Sequence, residues 1–554
     1  MKRISLIIVY LLLLTACDDF LSTLPDNRAE INTVDKVAKL LTSAYPNRTY
    51  ARWLEMSSDN IDDMGEQNPN GSQFIHQQAY WEHSTIGDNE SNVNLWQNYY
   101  NAIATANTAL EAIEKIGESK EILPYKGEAL MCRAYAHFCL TMVYCLPYHP
   151  EYANEYMGVV YMDRPETTLN PKYTRSSLAY CYEMIEKDIE AALPLLKDEA
   201  YTVPKYHFNR LAAYAFATRF YISCMKWEKA IECANQVLGQ DPAIMLRDWK
   251  STSSLAYTYN TRAMDYIDPV HKFNLMMIPL FSGNGSIFQA WSGSGARYTH
   301  NNRVCKTETY RAKRPMGGSF DRWKASTTQN VYIHPPFTWD DNITNKVFMP
   351  KWPSQWEVSD AVLGTGYSRS TIVAFTTNEC LLSRAEAYIH LKQYDKAAAD
   401  MNVWSKSIFK VGEDGIVELT RNRINEVYGN VESTAYIPEY TPEQPTSRKV
   451  LHPHGFTIEK GEQENFIQCL LYCKRIDSLS DGLRWGDVKR YGITVDRFDD
   501  TNYIDDTTTG YVVTESLPYN DLRRALQIPA DVIASGIEPN PRNEDAPEHP
   551  FRRF

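Results

Sequence analysis

Two groups of aromatic and polar residues have the types and spacing expected of a ligand-binding surface. The first comprises Trp81, His83, Asp88 and Asn89, and the second comprises Trp291, Arg297, Tyr298 and Trp323. Tryptophan and tyrosine offer flat apolar faces, while Asn, Asp and Arg offer paired hydrogen bonds. Together they suit a ligand with apolar ring faces and many hydroxyl groups, such as a sugar. The alternative for each residue is packing of a loop onto a helix, because Trp is highly buried on average.

Two further motifs could hold a metal ion. Asp59–Gly65 offers carboxylate oxygens that would suit calcium, and His452-Pro453-His454 offers two imidazoles. The acidic spacing differs from an EF-hand loop and is typical of a solvated turn, and no third ligand lies near the histidines. We therefore expect neither a metal nor a cofactor. The chain also lacks the Gly-x-Ser-x-Gly, His-Glu-x-x-His and phosphate-loop motifs, so no catalytic residue is assigned.

The N-terminus has the pattern of an export signal. Lys2 and Arg3 precede an apolar run over 4–14, which is too short for a membrane-spanning helix, and Leu14-Thr15-Ala16 leads into Cys17. This order predicts a lipoprotein signal over residues 1–16 and lipidation of Cys17. The alternative is a secretory signal followed by an ordinary buried cysteine.

Composition narrows the functional class of the 554-residue chain. Its net charge of −12, without a basic stripe, argues against nucleic acid as a partner. No later apolar run is long enough for a second membrane span. Ten cysteines remain after Cys17, most of them in apolar, helix-like stretches, so we expect free thiols rather than a disulfide framework.

Helical periodicity shows which elements must position these residues. Three segments share small residues at helical spacing, a central Arg and a following aromatic: 125–138, 209–221 and 378–388. The second and third continue alike into 225–234 and 392–400, as in a tetratricopeptide helix pair. Further helices are predicted over Val93–Ile116 and Leu178–Leu196.

The fold class predicted is mainly α, with tetratricopeptide-like helix pairs forming a scaffold interrupted by long, irregular, loop-rich insertions. We divide residues 17–554, as one domain, into a scaffold at about 30–240 and 370–410, an insertion at about 248–366 and a C-terminal segment at about 466–554. The insertion is rich in Ser, Thr, Asn, Gly and aromatics, and long irregular segments with such aromatic content are usually functional.

Several motifs together resemble the SusD/RagB family of outer-membrane nutrient-binding lipoproteins. In chain order they are Cys17–Pro25, Leu95–Asn107, Gly482–Gly492, Leu526–Ala530 and Glu538–Pro541. Within them, Trp96, Arg484 and Trp485 are interpreted as core or helix-junction residues. The segment 473–482 departs from the family by having Asp481 where a Glu usually precedes the glycine.

The resemblance implies a non-catalytic receptor on the outer membrane. It would be lipid-anchored, face the cell exterior as Asp18 and Asp19 also favour, and deliver an oligosaccharide to a SusC-like TonB-dependent transporter. Three alternatives stay open: a peptide ligand in the same architecture, a lipid-anchored glycosidase, and a pure protein-binding scaffold. Trp81 and Trp291 are the residues we expect to contribute most to binding.

Overall fold

The computed structural model describes residues 30–553, apart from 67, 69–70, 85–89, 170, 257–258, 290–296, 319–331, 333–336, 340–345, 350, 414 and 500–511. The predicted signal and Cys17 therefore lie outside the described residues. No helix in the described part is long and apolar enough to cross a bilayer.

Helices dominate the described part of the chain, as the sequence predicts. They are α1 (Val34–Leu41), α2 (Ala51–Ser57), α3 (Gln73–Ala79), α4 (Asn92–Ile116), α5 (Leu123–Tyr144), α6 (Leu178–Ala192), α7 (Arg210–Ser223), α8 (Trp227–Leu238), α9 (Trp249–Ser253), α10 (Tyr259–Tyr266), α11 (Asn284–Gln289), α12 (Asn302–Glu308), α13 (Thr377–His390), α14 (Tyr394–Ile408), α15 (Arg421–Gly429), α16 (Glu462–Asp477), α17 (Arg484–Arg490) and α18 (Ala530–Ala534).

In the described residues, short strands form three small sheets. The strands are β1 (Asp62–Asp63), β2 (Asn274–Phe281), β3 (Tyr298–Thr299), β4 (Phe337–Trp339), β5 (Lys346–Phe348), β6 (Gln355–Asp360), β7 (Thr365–Thr376), β8 (Val495–Asp499) and β9 (Val512–Leu517). Their orders are β3-β1-β8-β9, β2-β7-β6 and β4-β5. The first sheet joins three distant parts of the chain, and the second carries a hairpin, β6–β7, at its edge.

Local sequence explains where the long helices begin and end. The predicted helix over Val93–Ile116 is observed as Asn92–Ile116, because the Ser91 side chain caps its start and Gly117 ends it at φ 90°. The helix predicted over Leu178–Leu196 ends earlier, at Ala192. Pro194 explains the difference, since proline has no N–H to continue the helical hydrogen bonds.

The two matching repeats stack although about 140 residues of sequence separate them. Helix α8 of the first pair packs against α13 of the second. Both pairs turn through a non-glycine residue of positive φ, Met225 at 61° and Lys392 at 58°, two residues before the aromatic that begins the next helix. The insertion between them includes β2, β6 and β7, and β7 runs directly into α13.

The central arginine of each repeat makes a buried ion pair. Arg133 donates to both oxygens of Asp188 at 2.7 Å, and Arg384 donates to Asp400 at 2.7 and 2.8 Å. Arg219 binds Glu379 and thereby connects α7 with α13. The shared sequence feature is therefore structural, since such bidentate pairs fix the crossing of neighbouring helices.

All ten cysteines in the described residues are buried and free. The expectation of thiols rather than disulfides is thus confirmed.

Candidate ligand-binding surfaces

The acidic run at Asp59–Gly65 is a salt-bridged part of the core. Asp59 pairs with Arg484 at 2.9 Å, Asp62 pairs with Arg303, and Asp63 receives two hydrogen bonds from Arg297 at 2.6 and 2.8 Å. Burial alone would raise the pKa of Asp59, but Arg475 and Arg484 hold it well below its usual range. The interpretation as a solvated turn is wrong, because these carboxylates are buried and neutralised by arginine.

Asp59 and Asp62 belong to a larger group that we call the buried ionic cluster. Its members are Asp59, Asp62, Arg303, Glu308, Lys449, Arg475 and Arg484. Glu308 accepts from Lys449 at 2.6 Å and from Arg475 at 2.8 Å, and despite burial these cations lower its pKa to about 2. Among the described residues no group of His, Cys, Asp and Glu has the arrangement of a metal site.

The chain segments beside the two predicted residue groups meet at Asp63, where Arg297 and Tyr298 of the second group lie near Tyr80 and His76. Arg297 clamps both Asp63 oxygens, and the Tyr80 hydroxyl donates to the same carboxylate at 2.9 Å. His76 lies between the aromatics, with a ring centroid 4.6 Å from that of Tyr80, and its Nδ1 is 2.5 Å from the Tyr298 hydroxyl oxygen. The structure thus joins the segments around 80 and 298, which the sequence could only treat separately.

The group around Asp63, which we call the Asp63 cluster, faces mostly inward; its members are Asp63, His76, Tyr80, Arg297 and Tyr298. Tyr298 is buried beneath His76, and burial raises the pKa of Tyr80 to about 12. The groups open to solvent are at its rim: 38% of the His76 side chain and 51% of the Glu82 side chain are exposed. His83 is also exposed, and partial burial with the nearby Arg542 lowers its pKa.

Trp81 lies in the core rather than on a ligand surface. Only 3% of the residue is exposed, and its indole N–H donates to the Ser57 carbonyl at 2.9 Å. The Arg497 guanidinium lies 4.7 Å from the ring centroid. Because an arginine and the core cover the indole, Trp81 offers no ring face for stacking in this structure.

Arg497 itself connects the C-terminal part of the chain to the N-terminal helices. From β8 it donates to the backbone carbonyls of Met56, Ser58, Ile61 and Ala79 at 2.6–3.1 Å. These acceptors are more than 400 residues away in sequence, so the surroundings of Trp81 are completed only by the end of the chain.

The remaining predicted contacts differ in status. Asp88, Asn89, Trp291 and Trp323 lie outside the described residues and stay predictions. Trp352, from the same insertion, is buried and donates to the Ser480 carbonyl at 3.0 Å. Trp96, Arg484 and Trp485 are buried, which confirms their interpretation as core residues.

The unusual segment before Gly482 is also structural. Gly482 has a φ of 76°, and a Cβ there would lie 2.7 Å from the Ala51 carbonyl oxygen, so only glycine fits. Asp481 pairs with the buried Lys351 at 3.0 Å. The substitution of Asp for Glu is therefore accommodated by a local ion pair.

Trp356 is the exposed tryptophan that the sequence analysis did not select. Of the nine tryptophans whose side chains are described, it alone is exposed, at 59%. It lies on β6 beside Gly366 of β7, where an added Cβ would approach its indole within 2.8 Å. The absent side chain at Gly366 therefore makes room for the indole against the sheet.

The hairpin around Trp356 is rich in exposed apolar residues. Val358 is 55% exposed, Tyr367 is 53% exposed, and Val362 and Leu363 at the tip are 95% and 74% exposed. Strand alternation places Trp356 and Val358 on one face, and Glu357 and Tyr367 on the other. Such a concentration of exposed apolar residues is unusual and indicates an interaction site.

Polar groups accompany the aromatics on the second face. Arg369 lies 3.4 Å from the centroid of Phe281 and pairs with Glu357, while Tyr367 packs edge-on to Phe281 at 5.7 Å. At the tip, the Asp360 carboxylate accepts from the amides of Val362 and Leu363 at 2.8 and 2.9 Å. The hairpin thus combines open rings with fixed polar groups.

Residues 19–222 match the SusD-like family model described as "Starch-binding associating with outer membrane". No curated protein matches the chain.

Solved structures share the fold along nearly the whole chain. A SusD superfamily protein from Bacteroides thetaiotaomicron is 18% identical with a TM-score of 0.57, covering 92% of this chain and 100% of its own. One from Bacteroides vulgatus is 17% identical with a TM-score of 0.60, covering 93% and 99%. A SusD-like carbohydrate binding protein from B. vulgatus is 16% identical with a TM-score of 0.55, covering 91% and 96%.

Residues 19–222 are thus similar in sequence to the SusD-like family, and the chain shares its fold with solved SusD superfamily structures over more than 90% of its length.

Proposed function

We propose that this protein is a non-catalytic, outer-membrane carbohydrate receptor that binds oligosaccharide through the β6–β7 hairpin. The description of the matching family supports a carbohydrate ligand and an outer-membrane location. The exposure of Trp356 supports the hairpin as the binding site. An exposed indole is the side chain best suited to the apolar face of a sugar ring. The Trp356 indole is not part of the core, whereas those of Trp81 and Trp352 are buried.

The rim of the Asp63 cluster is the second part of this proposal. His76 and Glu82 have exposed polar groups, whereas Arg297 and Tyr298 act behind them as supports. Asp88, Asn89, Trp291 and Trp323, with His83, remain proposed ligand contacts. Sugar hydroxyls need such planar donors and acceptors beside the stacking surface.

The test is calorimetric titration of the soluble chain starting at Asp18 against plant, host and fungal oligosaccharides, with the recovered ligand analysed for cleavage. We expect saturable binding to one glycan class and intact ligand. Trp356→Ala should lower that affinity at least tenfold, and Trp356→Phe should restore part of it. Val431→Ala, which changes a 67%-exposed valine elsewhere, is the matched control. Cleaved ligand would instead indicate a glycosidase.

A peptide ligand is the second candidate, favoured by one observation. Strand β6 lies at the edge of its sheet and pairs only with β7 among the described residues. An extended peptide could add to this edge through backbone hydrogen bonds. Peptides in the titration panel decide between the two, because a response to peptides without one to glycans would replace the first proposal.

The proposal also includes a lipid anchor and a transporter partner. Lipidation at Cys17 would hold the protein on the outer membrane, facing the exterior, where it would deliver its ligand to a SusC-like TonB-dependent transporter. Cys17→Ser should abolish labelling by palmitate and release the protein from the membrane fraction. Copurification of wild-type protein with such a transporter in detergent tests the partnership, and its absence would count against it.

A further inference from the structure

A ligand-sized groove lies on the helical scaffold, formed by elements separate from the hairpin. Its volume is about 390 Å³, and it is lined by the outer face of α4, the segment 160–173 and residues 532–537. Small-molecule sites usually fall between about 300 and 1,000 Å³. The groove thus has the size of a binding site, and the function proposed above does not use it.

The wall opposite α4 is held in place by side chains of the scaffold. Asn107 donates to the carbonyls of Met162 and Arg164 at 3.0 and 3.2 Å, and the Tyr100 hydroxyl donates to the Val160 carbonyl at 2.9 Å. The Met162 N–H donates to Nε2 of the buried His137 at 3.1 Å. A wall fixed in this way reduces the conformational entropy that a ligand must remove on binding.

Repeat helix α5 supplies a further anchor to the same wall. Arg133, already paired with Asp188, also donates to the Asp163 carbonyl and to Asn107 Oδ1 at 2.9 Å. The ion pair at a helix crossing therefore also supports the residue that holds the groove wall.

Two side-chain amides at the groove have no internal partner. Gln97 and Asn101 are exposed, lie one turn apart on the same face of α4, and make no side-chain hydrogen bond within the described residues. Each amide offers two donors and an acceptor. Ala104, one turn further, has a small side chain and leaves the groove open.

Aromatic and charged groups complete the lining. The Trp96 and Tyr100 rings are 4.9 Å apart at the base, and Tyr173 donates to Glu166 at 2.6 Å in the outer wall. Rings beside free amides and a carboxylate match the apolar face and the hydroxyl groups of a sugar. An apolar side chain of a partner protein fits less well, because it would leave both amides without partners.

We propose that this groove is a second carbohydrate site, which takes a single sugar ring between α4 and the segment 160–173. This inference rests on the proposed function only in taking carbohydrate as the class of ligand. The ring would pack against Tyr100 and receive hydrogen bonds from Gln97 and Asn101. The chain would then bind one oligosaccharide at two separate places, or two ligands at once.

Single-ring probes test the groove separately from the hairpin. Methyl glycosides of glucose, galactose, mannose and N-acetylglucosamine are observed by ligand-detected NMR with wild-type protein, Ala104→Phe, which fills the groove, and Gln97→Leu/Asn101→Leu, which removes the amides. We expect both variants to reduce saturation transfer to at least one glycoside more than twofold. Glu114→Gln, at the exposed end of the same helix, should leave the signal unchanged.

The outcomes separate this inference from the proposed function. If no glycoside signal changes in Ala104→Phe while oligosaccharide binding still depends on Trp356, the groove proposal is overturned and the proposed function stands. If the wild-type protein binds neither glycosides nor oligosaccharides, both proposals fall. A melting temperature for each variant identifies unfolding, and Gln97→Leu alone replaces any variant that unfolds.

Discussion

The buried ionic cluster and the β6–β7 hairpin place side chains in opposite settings, with charged groups inside the protein and apolar groups exposed to solvent. In the cluster, carboxylates and arginines pair with each other inside the core, with Asp59, Glu308 and Arg484 each at most 6% exposed. On the hairpin, Trp356 and Tyr367 are more than half exposed, and one ion pair lies beside them. Residues that look reactive in the sequence thus stabilise the fold, whereas the binding proposal depends on side chains that the core does not contain.

Breaking the cluster should have the largest effect on stability. Arg484→Ala would leave Asp59 with less charge compensation in the core, and removing one partner of a buried pair typically costs about 3–5 kcal/mol. We expect the free energy of unfolding in urea to fall by that order, with ligand affinity unchanged in whatever protein remains folded. Unchanged stability would show that Arg475 and Lys449 alone suffice for Asp59.

A buried carboxylate near the cluster should make stability depend on pH. Glu55 accepts from the amides of Ser480 and Gly482 at 2.8 and 3.1 Å, and burial raises its pKa to about 7 from 4.5. The folded state therefore holds its proton more tightly than the unfolded state does. This contribution is fully present below pH 4.5 and is lost as the pH rises through 7, by up to about 3 kcal/mol.

Glu55→Gln should remove this contribution, so that between pH 4.5 and 7 the free energy of unfolding in urea falls less with pH, or rises more, than in the wild type. Asp481, whose burial raises its pKa to about 6, adds a slope of the same sign as Glu55 in both proteins, and buried histidines such as His137 and His300, whose burial lowers their pKa to about 3, add the opposite slope. The difference between the two proteins is therefore the quantity that reports Glu55. Glu114→Gln serves as the exposed control. If the slope is equal in Glu55→Gln and the wild type, Glu55 is ionised throughout.

The hairpin should show the reverse pattern, with function lost and stability kept. Trp356→Ala removes a 59%-exposed side chain, so the free energy of unfolding should change by no more than about 0.5 kcal/mol. A tenfold loss of glycan affinity corresponds to about 1.4 kcal/mol. The free energy of unfolding and the glycan affinity should be measured in one preparation and compared with those of Arg484→Ala. A large loss of stability in Trp356→Ala would instead place Trp356 in the core.

The tip of the hairpin should give the smallest effects. Val362→Ser and Leu363→Ser change residues that are 95% and 74% exposed and are positioned through backbone contacts to Asp360. We expect stability and sugar affinity to stay within error by thermal unfolding and calorimetry. A loss of peptide binding in these variants would favour the peptide alternative.

Periodicity allowed much of the scaffold to be predicted. The helices Asn92–Ile116 and Leu178–Ala192 and the helix pairs at 210–238 and 377–408 follow from the spacing of apolar and small residues. The partners of the repeat arginines could not be predicted, because Arg219 meets Glu379 across 160 residues of sequence. Sequence patterns report local periodicity, while such pairs depend on tertiary contacts.

The binding surface was harder to predict because local sequence does not determine which side chains are exposed. Trp81, Trp352 and Trp356 all lie in aromatic-rich, irregular-looking segments, yet two are buried and one is exposed. The small residues Gly366 and Ser368 could have distinguished Trp356 from the two buried tryptophans. They alternate along the strand that faces Trp356, and small residues there leave room for an indole to lie on the sheet. The segment Asp59–Asp63 was predicted to be a solvated turn but is buried, because the arginines that neutralise it are distant in sequence.

Arg497 also constrains how this chain reaches its native state. Its four acceptor carbonyls lie between residues 56 and 79, so these hydrogen bonds of the N-terminal helices form across more than 400 residues of sequence. Contacts of such sequence separation slow folding, because a long loop must close before they contribute. We therefore expect that residues 19–222, the region matched by the family model, do not fold alone, and that a chain that stops before β8 remains sensitive to proteases along its N-terminal half.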